Sequence, residues 1–201
     1  MLPANRLKTA LSKAKRIAVH GPWSRVVAFR HLLGAPPGLD GPPQPLWGGA
    51  SQTRGARFTP EGGFDAVYLA WDSITALAEV QAIAFLSGGP LQARTPPWVM
   101  MNVDGMVNGV LDLTDADTRT TLGTNEQEIS GSWQTAQLPP TQLLAQVAFD
   151  SGMIVGIKYP SAKNTGSGVN LVVFPDRLSR SSTDYLEVYD PHGNLPQRIG
   201  A

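Results

Sequence analysis

Arg57, Tyr68 and Glu79 stand within one stretch, Gly55–Glu79, each on a different short element, and together they look more like a site than a surface. Glu79 is the one charged residue between Ser73 and Ala93, and its neighbours three and four positions away are Thr75, Ala76, Ala82 and Ile83. A carboxylate on so apolar a helix face loses water on folding, so it must find a partner or shift its pKa upward. Arg57 is either that partner, in the core, or a free guanidinium in a site. Tyr68, in the middle of the apolar run AVYLA, is either a core ring or part of the same site. Ser161 and Lys163 follow Pro160 at a spacing that invites a hydrolase reading, yet no partner base is identifiable and Ser161 also suits a turn.

Other chemistry-bearing patterns are missing. No phosphate-binding loop, dinucleotide glycine fingerprint, zinc pattern or nucleophile elbow occurs, and Gly166–Gly168 precedes a strand instead of a helix. Asp112, Asp115 and Asp117 lack the rest of a calcium loop and read as a capped helix start. The chain has no cysteine, which excludes disulfides and thiolate chemistry, and its histidines, His20, His31 and His192, are scattered, so no metal site is expected.

The elements that must position these residues follow from pattern and turn chemistry. Leu7, Leu11 and Ala14 share one face of a helix over Asn5–Ile17, and Trp23–Phe29 reads as a strand. Gly34–Gly63 is rich in proline and glycine and reads as a long irregular loop. Ala66–Ala70 reads as a strand, and Asp72 or Ser73 caps a helix whose apolar run continues to Leu86. Pro96-Pro97 restarts the chain before two strands, Trp98–Val103 and Val107–Leu113. A short helix follows Asp115, Gly123–Ser132 reads as loop, and a helix runs from Pro140 through Phe149. Strands Met153–Tyr159 and Gly168–Phe174 bracket the Ser161 loop, and Tyr185–Tyr189 closes the series as a final, edge strand. This order runs against regular strand–helix alternation and predicts an α+β domain, with curved, mostly antiparallel sheets around a cleft and flanking helices.

With 201 residues and 42% hydrophobic content, the chain suits a single domain with a full core. Net charge is zero, so no global field recommends nucleic acid or an anionic membrane, and no direct nucleic-acid binding is expected. The basic start before Asp40 lacks an apolar core, and Glu79, Gln81, Gly88, Gly89 and Pro90 argue against a membrane span over Ser73–Ala93. The expectation is a soluble, cytoplasmic protein.

Four blocks in order, Gly55–Val80 (GARFTPEGGFDAVYLAWDSITALAEV), Val110–Asp115 (VLDLTD), Pro139–Phe149 (PPTQLLAQVAF) and Ile157–Phe174 (IKYPSAKNTGSGVNLVVF), resemble the RES domain, the toxin of RES–Xre toxin–antitoxin systems. The resemblance runs from about Pro22 to about Asp190, with residues 1–20 as a helical extension of one domain. It implies a fold related to ADP-ribosyltransferases and an activity that attacks NAD as substrate, without a metal. The implied reaction is cleavage of the nicotinamide–ribose bond by water or phosphate. Alternatives are transfer of ADP-ribose to a protein target, and a silent domain that binds only a nucleotide or its antitoxin. The implied partner is a cognate Xre-like antitoxin.

Carried onto this chain, the family's site residues fall on Arg25, Arg57, Tyr68, Glu79, Ser161 and Asn170. The resemblance implies that Arg57 and Arg25 grip pyrophosphate and that Tyr68 stacks on nicotinamide. Glu79 would stabilise the ribosyl cation, and Ser161 and Asn170 would hydrogen-bond the nicotinamide amide or a ribose hydroxyl. Phe58 replaces a tryptophan common in the family, with aromatic character kept.

Overall fold

One strand of 15 residues, Trp98–Asp112, organises the sheet. The computed structural model describes residues 1–32, 42–84, 92–93, 97–134 and 138–201. In chain order its elements are α1 (Ala4–Lys13), β1 (Arg16–His20), β2 (Trp23–Ala28), α2 (Gly49–Arg54), β3 (Val67–Ala70) and α3 (Ser73–Glu79). The short strands β4 (Ile83–Ala84) and β5 (Gln92–Ala93) follow, then β6 (Trp98–Asp112), α4 (Ala116–Thr121), α5 (Glu126–Ser130) and α6 (Pro140–Ser151). The chain closes with β7 (Gly156–Pro160), β8 (Val169–Val173), α7 (Pro175–Leu178), β9 (Tyr185–Val188) and β10 (Arg198–Gly200).

The long strand β6 pairs with four others along its length: β2 through Trp98–Val103, β9 through Val103–Met106, β1 through Met106–Leu111, and β7 through Val110–Asp112. The last pairing is parallel and all others in the sheet are antiparallel. Because β3 joins β2 to β8 and β8 joins β7, the strands β6, β2, β3, β8 and β7 close a circuit. Helices flank this mostly antiparallel sheet, as an α+β domain requires.

Strand alternation sorts the side chains onto two cores. Tyr68, Val172, Ile157 and Tyr159 face a core shared with Leu7 and Leu11 of α1, Ile129 of α5 and Leu144 and Ala148 of α6. Val67, Leu69, Leu171, Val173, Trp23 and Val103 face the other, with Leu178 and Leu186. A patch of Val26, Ala70 and Ala76 seats α3 on the sheet.

Several expected boundaries move, each for a local reason. The first helix ends at Lys13, and Ile17 belongs to β1, paired to Val110 of β6. The expected split of Trp98–Leu113 into two strands fails because Asp104 and Gly105 stay in register with Glu187 and Leu186 of β9. Gly105 is needed there, since an added Cβ would collide with the Tyr185 carbonyl oxygen. The helix expected to reach Leu86 stops at Glu79: Gln81 turns left-handed at φ 59°, and its N–H bonds the Ala78 carbonyl. Two stretches read as loop contain helices, α2 and α5, the latter capped by Asn125, whose Oδ1 accepts from the Glu128 N–H. β9 is neither final nor at the edge, because β10 pairs outside it. The expected loop residues 34–41, the helix end at 85–86, the turn at 88–90 and the restart at Pro96 lie outside the described residues. No helix among the described residues is long and apolar enough to cross a membrane.

Candidate active site

The register of the circuit lays down the floor of a cleft. Ser24 of β2 stands opposite Ala70 of β3, Ala70 opposite Asn170 of β8, and Asn170 opposite Tyr159 of β7. Directly opposed residues share a face, so these four form a row, with Tyr68 one step along on the same side. Helix α3 crosses this face. Asp72 caps it by accepting from the Thr75 N–H at 2.8 Å, and its last residue is Glu79. The resulting cavity has a volume of about 480 Å³ and is lined by Arg25, Arg57, Tyr68, Glu79, Tyr159 and Lys163, among others. That size lies within the range of small-molecule sites.

Glu79 is held from one side. Its Oε1 accepts from Ser161 Oγ at 2.6 Å and from Asn170 Nδ2 at 2.7 Å, and Oε2 accepts from neither. Ser161 and Asn170 are themselves buried, 4% and 2% exposed, and stand behind the carboxylate instead of in the cleft wall. Ser161 Oγ also accepts from the Lys163 and Asn164 N–H groups, while Asn164 Nδ2 donates to Thr75 Oγ1 of α3. The 161–168 loop is therefore tied to α3 from two sides, which holds Glu79 to one rotamer. Ser161 and Asn170, expected to contact the substrate, both bond Glu79 here.

Arg57 sits at the tip of a tight turn. Gly55, at φ 69°, ends α2, and Ala56 and Thr59 exchange backbone hydrogen bonds around Arg57-Phe58. Helix α6 clamps this turn: Thr141 Oγ1 donates to the Arg57 carbonyl, and Gln142 Nε2 to those of Ala56 and Thr59. One terminal nitrogen of Arg57 donates to the Ile129 and Gly131 carbonyls at 2.6 and 2.8 Å, fixing the end of α5 as a second cleft wall. Arg57 forms no ion pair with Glu79, so the core-pair alternative does not describe this fold. Its Nε and second terminal nitrogen carry no hydrogen bond among the described residues.

Tyr68 gives its ring to the cleft and its hydroxyl to the same turn. The hydroxyl accepts from the Phe58 N–H at 3.1 Å and bonds Thr59 Oγ1 at 2.9 Å. Burial pushes its pKa up to about 12, partly offset by those bonds and by the Arg57 charge. Arg25 behaves differently from the expectation of a free phosphate ligand. It borders the cleft, but Trp23 and Val27, two positions to either side, face the opposite core. Its Nε and both terminal nitrogens donate at 2.8 Å to the carbonyls of Pro45, Tyr68 and Trp47. Burial lowers its pKa to about 10, so it stays charged at neutral pH.

Tyr159, Thr141 and Gln142 are site residues that sequence reasoning missed. The only signal for Tyr159 was its place directly before Pro160-Ser161, and the two α6 residues had none, since their role depends on where α6 docks. Among the described residues no three His, Cys, Asp or Glu side chains gather as metal ligands would. As built, the cleft offers one oriented carboxylate with a free oxygen, a guanidinium with free donors and aromatic walls. Such a set suits a substrate that carries anionic groups and develops positive charge as it reacts.

The RES domain family matches residues 28–196 of the chain. Among solved structures, a chain of the M. tuberculosis MbcT–MbcA toxin–antitoxin complex superposes with a TM-score of 0.62. The match has 19% sequence identity and covers 98% of this chain and 92% of that one, a likeness of fold. No curated protein matches the sequence.

Proposed function

Because the chain belongs to the RES domain family, we propose that it cleaves the nicotinamide–ribose bond of NAD and serves as the toxin of a toxin–antitoxin pair. The observation that carries the reaction is Glu79, whose Oε1 is held by Ser161 and Asn170 while Oε2 is left to the cleft. When the bond from the ribosyl C1′ to nicotinamide breaks, its electron pair leaves with nicotinamide and positive charge spreads over C1′ and the ring oxygen. An oriented carboxylate in a partly dry cleft stabilises that charge without reorganising. Water then adds to C1′ and loses a proton, giving ADP-ribose; phosphate as nucleophile gives its phosphate ester.

The other groups bind. The free donors of Arg57 meet the pyrophosphate, and Lys163, which also lines the cleft, adds a second cation. The Tyr68 ring, with its hydroxyl pinned, presents a rigid face for nicotinamide. An enzyme that drains NAD harms its own cell, so the chain requires a partner that blocks the cleft. One solved structure that shares this fold is a toxin–antitoxin complex, and an Xre-like antitoxin is the partner proposed here.

The test is nicotinamide release by purified wild type and by Glu79→Gln at matched circular dichroism. Glutamine keeps an acceptor for Ser161 and Asn170 but removes the charge, so release falls about 100-fold or more. Equal rates remove Glu79 from the mechanism, and no release by wild type rejects the reaction. Adenine-labelled NAD reports the acceptor: label on protein identifies a transferase, and label on free ADP-ribose a hydrolase.

A further inference from the structure

Of the two tyrosines in the cleft, Tyr68 has a committed hydroxyl and Tyr159 a free one. Tyr68 spends its hydroxyl on Phe58 and Thr59. Tyr159 is 4% exposed, lines the same cleft, and its ring packs on Phe58 with centroids 4.6 Å apart. Its hydroxyl makes no hydrogen bond among the described residues. Nor is it walled in, because the buried side-chain polar atoms without a partner are Asp65 Oδ1 and Arg177 Nε. What little surface Tyr159 retains therefore opens into the cleft. A phenylalanine would pack equally well on Phe58, so packing does not explain the hydroxyl, and a polar group in so dry a place costs stability unless something bonds it.

We infer that Tyr159 is a substrate-binding residue, its hydroxyl donating a hydrogen bond to an oxygen of the ribose whose bond is cleaved, beside Glu79. This rests on the NAD reading. Tyr159 stands in register with Asn170, which holds Glu79, so the phenol and the carboxylate lie over one row of the sheet. A ribose hydroxyl both donates and accepts, and the two groups offer it one of each: Glu79 Oε2 accepts and Tyr159 donates. Burial, with smaller contributions from Tyr68 and the Glu79 charge, holds the phenol well above its usual range, so it keeps its proton at any working pH. A charge there would repel the carboxylate; a protonated phenol does not.

The test compares wild type with Tyr159→Phe, which removes the hydroxyl and keeps the ring. Calorimetry with ADP-ribose, which retains the ribose and does not react, reads binding, and nicotinamide release reads turnover. The expected result is an ADP-ribose Kd raised about tenfold, a matching fall in kcat/KM for NAD, and a melting temperature equal to or above wild type. Unchanged ADP-ribose affinity in Tyr159→Phe, with active wild type, overturns this inference alone. A lower melting temperature with unchanged affinity overturns it too, by making the hydroxyl structural. If wild type neither binds ADP-ribose nor releases nicotinamide, the NAD reading falls and this inference with it.

Discussion

Ser161 Oγ donates to Glu79 Oε1 at 2.6 Å across 82 positions of sequence, joining the loop after β7 to the last residue of α3. Asn170 shares the same oxygen at 2.7 Å, so two neutral donors orient one carboxylate from behind. Under the proposed reaction both serve as positioning residues, and their loss would act through Glu79. Ser161→Ala and Asn170→Ala are each expected to lower kcat by roughly 10- to 100-fold with KM little changed, because a released carboxylate strays from its reacting geometry. The double variant is expected to lose less than the product of the two, since the residues serve one rotamer. Steady-state kinetics of the four proteins decides; a rise in KM alone would return both to direct substrate contact.

Arg25 carries a different expectation, because its donors are turned toward the protein. Arg25→Met keeps much of the volume and leaves the carbonyls of Pro45, Tyr68 and Trp47 without their donor. The loss is expected to reach about 3 kcal/mol or more, a drop of roughly 6–12 °C in melting temperature at this chain length. A thermal melt beside NAD calorimetry checks it. A variant that melts like wild type but binds NAD weakly would restore Arg25 as a phosphate ligand.

How much of this was legible follows from where each signal lives. Glu79 stood out because a lone charge in an apolar run is visible without a fold. The end of its helix did not, because Val80–Ala84 keeps helical hydrophobicity and only the left-handed turn at Gln81 breaks it. The break expected between Val103 and Val107 does not occur, because β9 pairs through Asp104 and Gly105. Helix α5 was readable and passed over: Asn125 followed three positions on by Glu128 is a capping signal inside a polar stretch. Tyr159 and Gln142 gain meaning only from contacts made across the fold, with Phe58 and with the Arg57 turn, which no local pattern encodes.

Asp184 makes stability depend on pH. It is buried beside β6 and accepts from the Asn108 N–H and Nδ2 at 2.9 and 2.7 Å and from Ser181 Oγ at 2.9 Å. Burial alone would raise its pKa, but the bonds from Asn108, Ser181 and Thr183 together outweigh it and hold the pKa below the usual carboxylate range. A depressed folded pKa means that the stabilisation is present in full above the unfolded value, about 3.9, and is lost as pH falls through the folded value. Asp184→Asn is expected to be less stable than wild type at pH 7, with the gap narrowing below about pH 4. Urea midpoints for both proteins between pH 7 and pH 3 test this, and a gap independent of pH would contradict it.

Arg57 joins two tasks that one substitution separates. One terminal nitrogen ties the end of α5 through Ile129 and Gly131, and the remaining donors are left for a ligand. Lysine keeps the charge but has a single nitrogen, which cannot hold two carbonyls and a pyrophosphate together. If the free donors grip pyrophosphate, Arg57→Lys weakens NAD binding by about tenfold or more while the turn, still held by Thr141 and Gln142, stays folded. If the residue serves only the wall, the melting temperature falls and the affinity of the folded protein does not. Calorimetry with NAD beside a melt separates the outcomes, and nicotinamide as a second titrant sharpens them. Nicotinamide lacks phosphate, so its affinity is expected to survive Arg57→Lys; an equal loss for both ligands would mean that the cleft itself had been deformed.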